Sequence, residues 1–191
     1  MEIVFCDLDG TLINSEKERI NTYFLALNEC NIHNYNKPSL AKLLGNGEER
    51  NLKLIAPFLN NNEINNVIKA RKKYLDLIDI SNIEINNNVY SQIIKYKQII
   101  IVTNSSYSYA YRMCNELLKI PCNIIALEDN SPPKPDPYLY SFAFNKFANN
   151  KIKIVYEDSY AGIHSALKAG ADVIYKVTNN EDIKIYKDFN K

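Results

Sequence analysis

The stretch Ile3-Val4-Phe5-Cys6-Asp7-Leu8-Asp9-Gly10-Thr11-Leu12 decides the fold and much of the chemistry of this chain. Its apolar first part predicts a buried strand, and two carboxylates follow that strand two residues apart. Like charges at this spacing repel, and each raises the pKa of the other unless a cation or a shared proton offsets the repulsion. We therefore expect that Asp7 and Asp9 bind a hard metal ion, that one of them is a nucleophile, or that both are true.

The second half of the chain alternates apolar runs with helical patterns. Strands are predicted at 99–102, 123–126, 152–156 and 172–176. Helices are predicted between them at about 107–118, 138–148 and 160–170. This alternation predicts an α/β fold with a Rossmann-like, doubly wound parallel sheet covered on both faces. Because the tail after Lys176 is short, we expect the sheet to lack a late element.

A helical block separates the first strand from the rest of the sheet. Residues 15–81 carry helical patterns, so we expect a small all-helical domain there and a core built from 1–14 and 82–191. Asn triplets at 60–62 and 86–88 are expected in loops, since Asn tolerates turn conformations. An insertion after the first strand is expected above the carboxyl ends of the strands, where open α/β sheets bind ligands.

Charge and cysteine content narrow the class of protein. The net charge is +1, from 23 basic and 22 acidic residues, so we expect no nucleic acid polymer and no membrane as partner. No apolar run approaches the roughly 20 residues that a membrane span needs. The four cysteines form no metal-binding or redox spacing. They indicate reduced thiols and a cytoplasmic protein. We expect the protein to be a monomer or a dimer.

Four polar features directly follow strands or occupy strand-to-helix loops. They are Asp7 with Asp9, the segment Thr103-Asn104-Ser105, Lys134, and the pair Glu157-Asp158. In a doubly wound sheet these positions converge on one crevice. Carboxylates there would bind Mg²⁺, and a lysine and a hydroxyl would contact phosphate oxygens. The sequence thus predicts a phosphoryl-transfer site.

These motifs resemble those of the haloacid dehalogenase (HAD)-like hydrolases, in the right order over nearly the whole chain. The first is Asp7-Leu8-Asp9-Gly10-Thr11, the second is Thr103, the third is Lys134 and the fourth is Glu157-Asp158-Ser159. The chain looks like the phosphoglycolate phosphatase and β-phosphoglucomutase-like members, which have a small helical cap of the C1 type.

The resemblance implies a role for each matching residue. Asp7 would be the nucleophile that forms an aspartyl-phosphate, and Asp9 the general acid and base. Thr103 and Lys134 would hold the transferring phosphoryl group. These four residues are the expected catalytic set.

The remaining site residues are implied in the same way. Mg²⁺ would be held by Asp7, by the backbone carbonyl of Asp9, and by Glu157 and Asp158, with Glu157 bound directly or through water. Asn104 is expected near the substrate. Gly45 lies where the family has a flexible substrate loop in the cap.

The expected function is Mg²⁺-dependent hydrolysis of a small phosphomonoester of the sugar phosphate or phosphoglycolate type. A β-phosphoglucomutase-like transfer stays open, although the mutases tend to carry a cap histidine and a cap arginine where this chain has Arg19 and Glu48. A nucleotidase and a non-catalytic module of the same fold are further alternatives.

Overall fold

The chain divides into two compact units. One comprises Met1–Asn14 with Glu84–Lys191, and the other comprises Ser15–Ile83. The computed structural model describes residues 2–38, 43, 48–127, 131–178 and 182–188. That the first unit is a catalytic core and the second a cap remains a prediction.

The first unit is built on a six-stranded sheet. Its strands are Ile3–Cys6 (β1), Gln98–Val102 (β4), Asn123–Ile125 (β5), Ile154–Glu157 (β6), Val173–Val177 (β7) and Ile183–Asp188 (β8). The strand order is β5-β4-β1-β6-β7-β8, and every neighbouring pair is parallel except β7 with β8. The predicted α/β class with a largely parallel, doubly wound sheet is therefore confirmed.

The end of the chain contradicts one expectation. The tail after Lys176 does not leave the sheet without a late element, because β8 pairs antiparallel with β7 along the edge. The residues of this strand at 183–187 are exposed or half-buried and include two lysines, so the strand has a weaker apolar signal than the buried central strands.

The helices of the first unit lie between its strands in the sequence. They are Asn87–Ile93 (α4), Tyr107–Arg112 (α5), Tyr138–Phe147 (α6) and Tyr160–Lys168 (α7), and a π-helical segment, Met113–Leu118, continues α5. Strand β1 lies between β4 and β6, and its four residues are fully buried or nearly so. The ring of Phe5 meets Phe144 of α6 edge to face at 4.7 Å, which anchors the central strand against the helical layer.

The segments that precede and follow the second unit in sequence pair with each other as a two-stranded ribbon. It pairs Ile13–Asn14 (β2) antiparallel with Glu84–Ile85 (β3). Asn86 follows β3 and caps α4, since its side chain accepts a hydrogen bond from Val89 N at 3.2 Å. The Asn triplets are thus helix N-termini rather than plain loops, because the asparagine side chain satisfies a backbone N–H that the first helical turn leaves unpaired.

The second unit is helical in its described part. Its helices are Glu16–Glu29 (α1), Glu48–Ile55 (α2) and Asn61–Asp76 (α3), followed by the 3₁₀ turn Ile80–Asn82. Asn60 forms a full capping box with Glu63 at the start of α3. Apolar residues such as Leu27, Leu52 and Val67 form the core of this unit.

Arg71 is the buried charge of the second unit. Its guanidinium pairs with Glu48, lies over the ring of Tyr23 at 3.9 Å and donates to the carbonyl of Arg19 at 3.2 Å. Burial lowers the pKa of Arg71, and Glu48 opposes that effect. The described helices include none that is long and apolar enough to cross a membrane.

Candidate active site

Strand β1 places Asp7 at the C-terminal end of the parallel strands. Asp7 follows β1 directly, and its backbone N–H still donates to the carbonyl of Tyr156 at 3.0 Å in the neighbouring strand. Because β1 is bonded on both sides, this backbone is rigid, and the side chain, 8% exposed, lies at a fixed point.

Lys134 lies at the centre of the candidate site. Its Nζ is 2.7 Å from Asp7 Oδ1, 2.6 Å from Glu157 Oε1 and 2.7 Å from the carbonyl oxygen of Val102. An ammonium has three protons to donate, so these contacts use all three. Side chains that stand 23 and 127 positions from Lys134 in the chain are thus joined by one buried cation.

Burial and neighbouring charges together raise the pKa values of Asp7, Glu157 and Lys134. Burial raises the pKa of Asp7 to about 7, the nearby Glu157 adds to the rise, and Lys134 opposes it. Burial also raises the pKa of Glu157. For Lys134, burial alone would lower the pKa, but Asp7 and Glu157 outweigh it and hold the ammonium charged.

The same carboxylates form a cluster that suits a divalent cation. One oxygen from each of Asp7, Glu157 and Asp158 lies within 4.8 Å of the other two. Hard oxygen donors of this kind are what Mg²⁺ prefers, and the single Lys134 charge does not balance three acids. The residues present therefore fit Mg²⁺.

Thr11 holds the Asp158 end of that cluster. Its hydroxyl donates to Asp158 Oδ1 at 2.9 Å and accepts from the Asp158 backbone N–H at 3.1 Å. Thr11 is fully buried, so this hydroxyl is a fixed support for the carboxylate.

Glu157 is the most enclosed of the acids. It is fully buried, and its Oε1 also accepts from the hydroxyl of Tyr140 at 2.9 Å while its Oε2 accepts from Ser159 at 3.2 Å. The Glu157 carboxylate lies directly against the Cα of Gly162.

Asp9 points to different partners from those of Asp7. Its Oδ2 accepts from the Ser105 hydroxyl at 2.6 Å, and its Oδ1 accepts from the Tyr109 hydroxyl at 2.9 Å. The carboxylate cluster of the described residues contains Asp7, Glu157 and Asp158 but not the Asp9 side chain.

The segment after β4 places Thr103 and Asn104 at the same C-terminal end of the parallel strands. Thr103 is buried, and its hydroxyl accepts from the Ser105 backbone N–H at 3.1 Å. The Asn104 amide accepts from Lys134 N at 2.9 Å and donates to Lys134 O at 3.4 Å. Asn104 therefore fixes the backbone of the Lys134 loop.

Comparison with known proteins identifies the family of this chain. The model of the haloacid dehalogenase-like hydrolase family matches residues 3–176. The chain belongs to this family. The predicted family and the predicted enzyme class, a HAD-type hydrolase, are thereby confirmed.

Solved HAD-family structures share the fold of the whole chain. CbbY from Rhodobacter sphaeroides, in complex with phosphate, is 18% identical, with a TM-score of 0.73 over 95% of this chain and 90% of that one. A protein from Bacteroides fragilis, provisionally described as a haloacid dehalogenase-like hydrolase, is 16% identical, with a TM-score of 0.76 over 98% and 91%. A Lactobacillus plantarum protein, provisionally named a phosphoglycolate phosphatase, is 18% identical, with a TM-score of 0.71 over 100% and 95%. No curated protein sequence is detectably similar to this chain.

The sequence predicts the charged side chains that the structure brings together in the candidate site, but not the residues that support them. Among the described residues, Asp7, Lys134, Glu157 and Asp158 meet, while Gly45 lies outside the described part of the chain. Thr11 stands inside the quoted first motif, so its position was a usable signal for a supporting role. Gly162 follows the fourth motif and is expected from the sequence to allow close helix packing, whereas nothing in the local sequence singles out the supporting residues Tyr109 and Tyr140.

Proposed function

We propose that this chain is a phosphatase that hydrolyses a small phosphomonoester through a phosphorylated Asp7, with Mg²⁺ as cofactor. The observation that carries the proposal is the buried pairing of Lys134 with Asp7 at 2.7 Å beside the carboxylates of Glu157 and Asp158. A nucleophilic carboxylate has to be ionised at the moment of attack, and a charged lysine on Asp7 favours that state.

The metal would be held by the side chains of Asp7 and Asp158 and by the backbone carbonyl of Asp9, with Glu157 bound directly or through water. The oxygen cluster and the excess of buried negative charge support this assignment. When bound, Mg²⁺ supplies positive charge that neutralises phosphoryl oxygens and the acids around them.

The residues of the chain account for both halves of hydrolysis. Asp7 attacks phosphorus, so a bond forms between its carboxylate oxygen and phosphorus while the ester P–O bond breaks. Asp9 gives a proton to the departing alcohol oxygen and then takes a proton from the water that attacks the phosphorylated Asp7. That second attack breaks the bond between Asp7 and phosphorus and releases phosphate. Lys134 places its positive charge beside the phosphoryl oxygens, and Thr103 orients them.

The helical unit Ser15–Ile83 is proposed to be the cap that selects the substrate. Within it, the position at which the related mutases tend to carry arginine is Glu48, whose carboxylate pairs with the buried Arg71. A carboxylate has no proton to donate to a second phosphate on the substrate, which supports a phosphatase over a mutase.

The comparisons bear on the substrate class. The phosphate in the CbbY complex and the name of the Lactobacillus plantarum protein both support a small phosphorylated metabolite as substrate. The four cysteines are free thiols, which supports the proposal that the protein works in the cytoplasm.

The proposal is tested by phosphate release from sugar phosphates, phosphoglycolate and nucleotides, with and without Mg²⁺. Asp7→Asn is the catalytic control because it keeps the side-chain shape and removes the nucleophile. Asp172→Asn is the matched control, since Asp172 accepts a backbone hydrogen bond from Lys153 at 2.8 Å, which an amide oxygen also accepts. Acid-quenched enzyme is digested and its Asp7 peptide examined by mass spectrometry.

Mg²⁺-dependent release that persists in Asp172→Asn and disappears in Asp7→Asn, with one phosphoryl group on the Asp7 peptide, supports the proposal. Release retained by pure Asp7→Asn protein contradicts the mechanism. Absence of release from every ester contradicts the phosphatase itself.

A further inference from the structure

Both oxygens of the Asp9 carboxylate accept hydrogen bonds from hydroxyl groups. Ser105 donates to Oδ2 at 2.6 Å, and Tyr109 donates to Oδ1 at 2.9 Å. Both hydroxyls therefore hold the same carboxyl group, one on each oxygen.

This arrangement suits the task of Asp9 in the proposed reaction. A general acid and base has to stand at a fixed distance and direction from the atom with which it exchanges a proton. The Ser105 and Tyr109 hydroxyls fix the direction of the Asp9 side chain.

Tyr109 is built to be a rigid support. Its side chain is 1% exposed, and its backbone N–H donates to Ser106, the N-cap of α5, at 3.4 Å. A tyrosine ring has only two side-chain torsions, so a buried one places its hydroxyl with little freedom.

The second hydroxyl comes from the same segment of chain. The backbone of Ser105 donates to the Thr103 hydroxyl at 3.1 Å, and its carbonyl accepts from Leu127 N at 3.1 Å. The segment that follows β4 therefore carries both the phosphoryl-binding Thr103 and the two hydroxyls that orient Asp9.

We propose that Tyr109 is a positioning residue that, together with Ser105, aims the Asp9 carboxyl group at the leaving-group oxygen of the substrate. The inference rests on the proposed phosphatase function. It assigns a task to a residue outside the four motifs.

The test uses Tyr109→Phe, which keeps the buried ring and removes only the hydroxyl. Tyr156→Phe is the matched control, since Tyr156 is also buried and its hydroxyl donates to Gln92 Oε1 at 2.8 Å. For both variants kcat/KM is measured with p-nitrophenyl phosphate and with whichever sugar phosphate of the panel is hydrolysed fastest. Nitrophenolate leaves without a proton, whereas a sugar alkoxide needs one.

A positioning role predicts that Tyr109→Phe lowers kcat/KM for the sugar phosphate about tenfold or more, since general acid catalysis contributes roughly 10²–10⁴-fold. For p-nitrophenyl phosphate the change stays within about twofold, and Tyr156→Phe leaves the ratio of the two substrates unchanged. An equal loss for both esters in Tyr109→Phe, or no loss for either, overturns the inference.

A second measurement is independent of turnover. Thermal unfolding is followed for Tyr109→Phe, Asp9→Ala and the double variant, with Tyr156→Phe in place of Tyr109→Phe as the control cycle. Coupling between Tyr109 and Asp9 predicts Tm shifts that are not additive, while the Tyr156 cycle is additive. Additive shifts in the Tyr109 cycle contradict the contact on which the inference depends.

Failure of the proposed function has a different signature. If the wild-type chain releases phosphate from no ester, the phosphatase proposal fails and the positioning role falls with it, whatever the unfolding cycle shows. If the wild type is active and the ratio of the two esters does not respond to Tyr109→Phe, only the positioning role fails.

Discussion

The carboxylate of Glu157 occupies the space in which a side chain on Gly162 would lie. A Cβ built on Gly162 would be 1.9 Å from Glu157 Oε1, well inside the distance that two non-bonded atoms tolerate. Helix α7 therefore passes so close to the site that only glycine leaves room for the acid. This contact gives Gly162 a role in the site, beyond the close helix packing that a glycine in a helix ordinarily indicates.

We expect Gly162→Ala to destabilise the protein and to lower its activity. Alanine in a helix ordinarily adds about 0.5–1 kcal/mol of stability relative to glycine, whereas overpacking costs about 1–3 kcal/mol. The sign of the change in unfolding free energy, measured by urea titration, thus separates the two effects. Phosphate release should fall at least about tenfold because the Glu157 carboxylate has to move away from Lys134.

His164→Ala on the same helix is the control for Gly162→Ala. His164 stacks on Tyr160, away from the acids of the site, so its replacement should leave phosphate release near the wild-type value. A Gly162→Ala protein that is as stable and as active as the wild type would show that Glu157 is not confined.

We expect Thr11→Val to weaken Mg²⁺ binding about 10–100-fold, the usual effect of removing a group that orients a metal ligand. The valine keeps the volume of threonine but loses both hydrogen bonds to Asp158. The measurement is the Mg²⁺ concentration that gives half of the maximal activity, together with the shift in Tm on adding Mg²⁺.

Thr11→Ser keeps the hydroxyl and should restore most of the Mg²⁺ affinity. Thr22→Val removes a comparable buried hydroxyl, which donates to the Arg19 carbonyl in the other unit, and should not change that affinity. Equal Mg²⁺ affinity in Thr11→Val and the wild type would refute the support role of Thr11.

We expect Lys134→Met to destabilise the metal-free protein by about 3–5 kcal/mol, since it leaves buried carboxylates without their cation. Urea unfolding in the presence of EDTA measures this loss. The double variant Lys134→Met with Glu157→Gln removes one of the unpaired charges and should recover part of the stability. A double variant no more stable than Lys134→Met would contradict the electrostatic explanation.

The stability of the metal-free protein should fall as the pH rises from about 4 towards 8. Burial raises the pKa of Asp7 from 3.8 to about 7, so in this interval the folded protein holds a proton that the unfolded chain has released. The stabilisation that this proton gives is complete below the unfolded pKa and is lost as the pH passes through the folded pKa.

The comparison of wild type with Asp7→Asn isolates the contribution of Asp7 and the groups coupled to it, because titrating groups distant from Asp7 cancel in the difference. In EDTA, the Tm of the wild type minus that of Asp7→Asn should decrease steadily from pH 5 to pH 8. A difference that does not vary with pH would show that Asp7 titrates near its ordinary value in the folded protein.

Local patterns were enough to predict the parallel strands of the sheet and the residues that stand at their C-terminal ends. Apolar runs mark the buried strands, and the polar residues after them meet because parallel strands end on the same side. The edge strand β8 escaped because one face of an antiparallel edge is solvated, which dilutes the apolar signal. Asn86 was placed in a loop, yet it is a buried helix cap that also donates to the Thr11 carbonyl at 3.1 Å.

The sequence alone predicts the alternation of the parallel strands with helices, the family motifs and the charged groups that follow the strands. These features can be predicted because they depend on patterns among residues that are close together in the chain. The contact of Tyr109 with Asp9, 100 positions away, and the room that Gly162 leaves for Glu157 are visible only in the folded protein. Such pairings are set by the packing of whole helices against the sheet, and a tyrosine or a glycine carries no local mark of the partner it will meet.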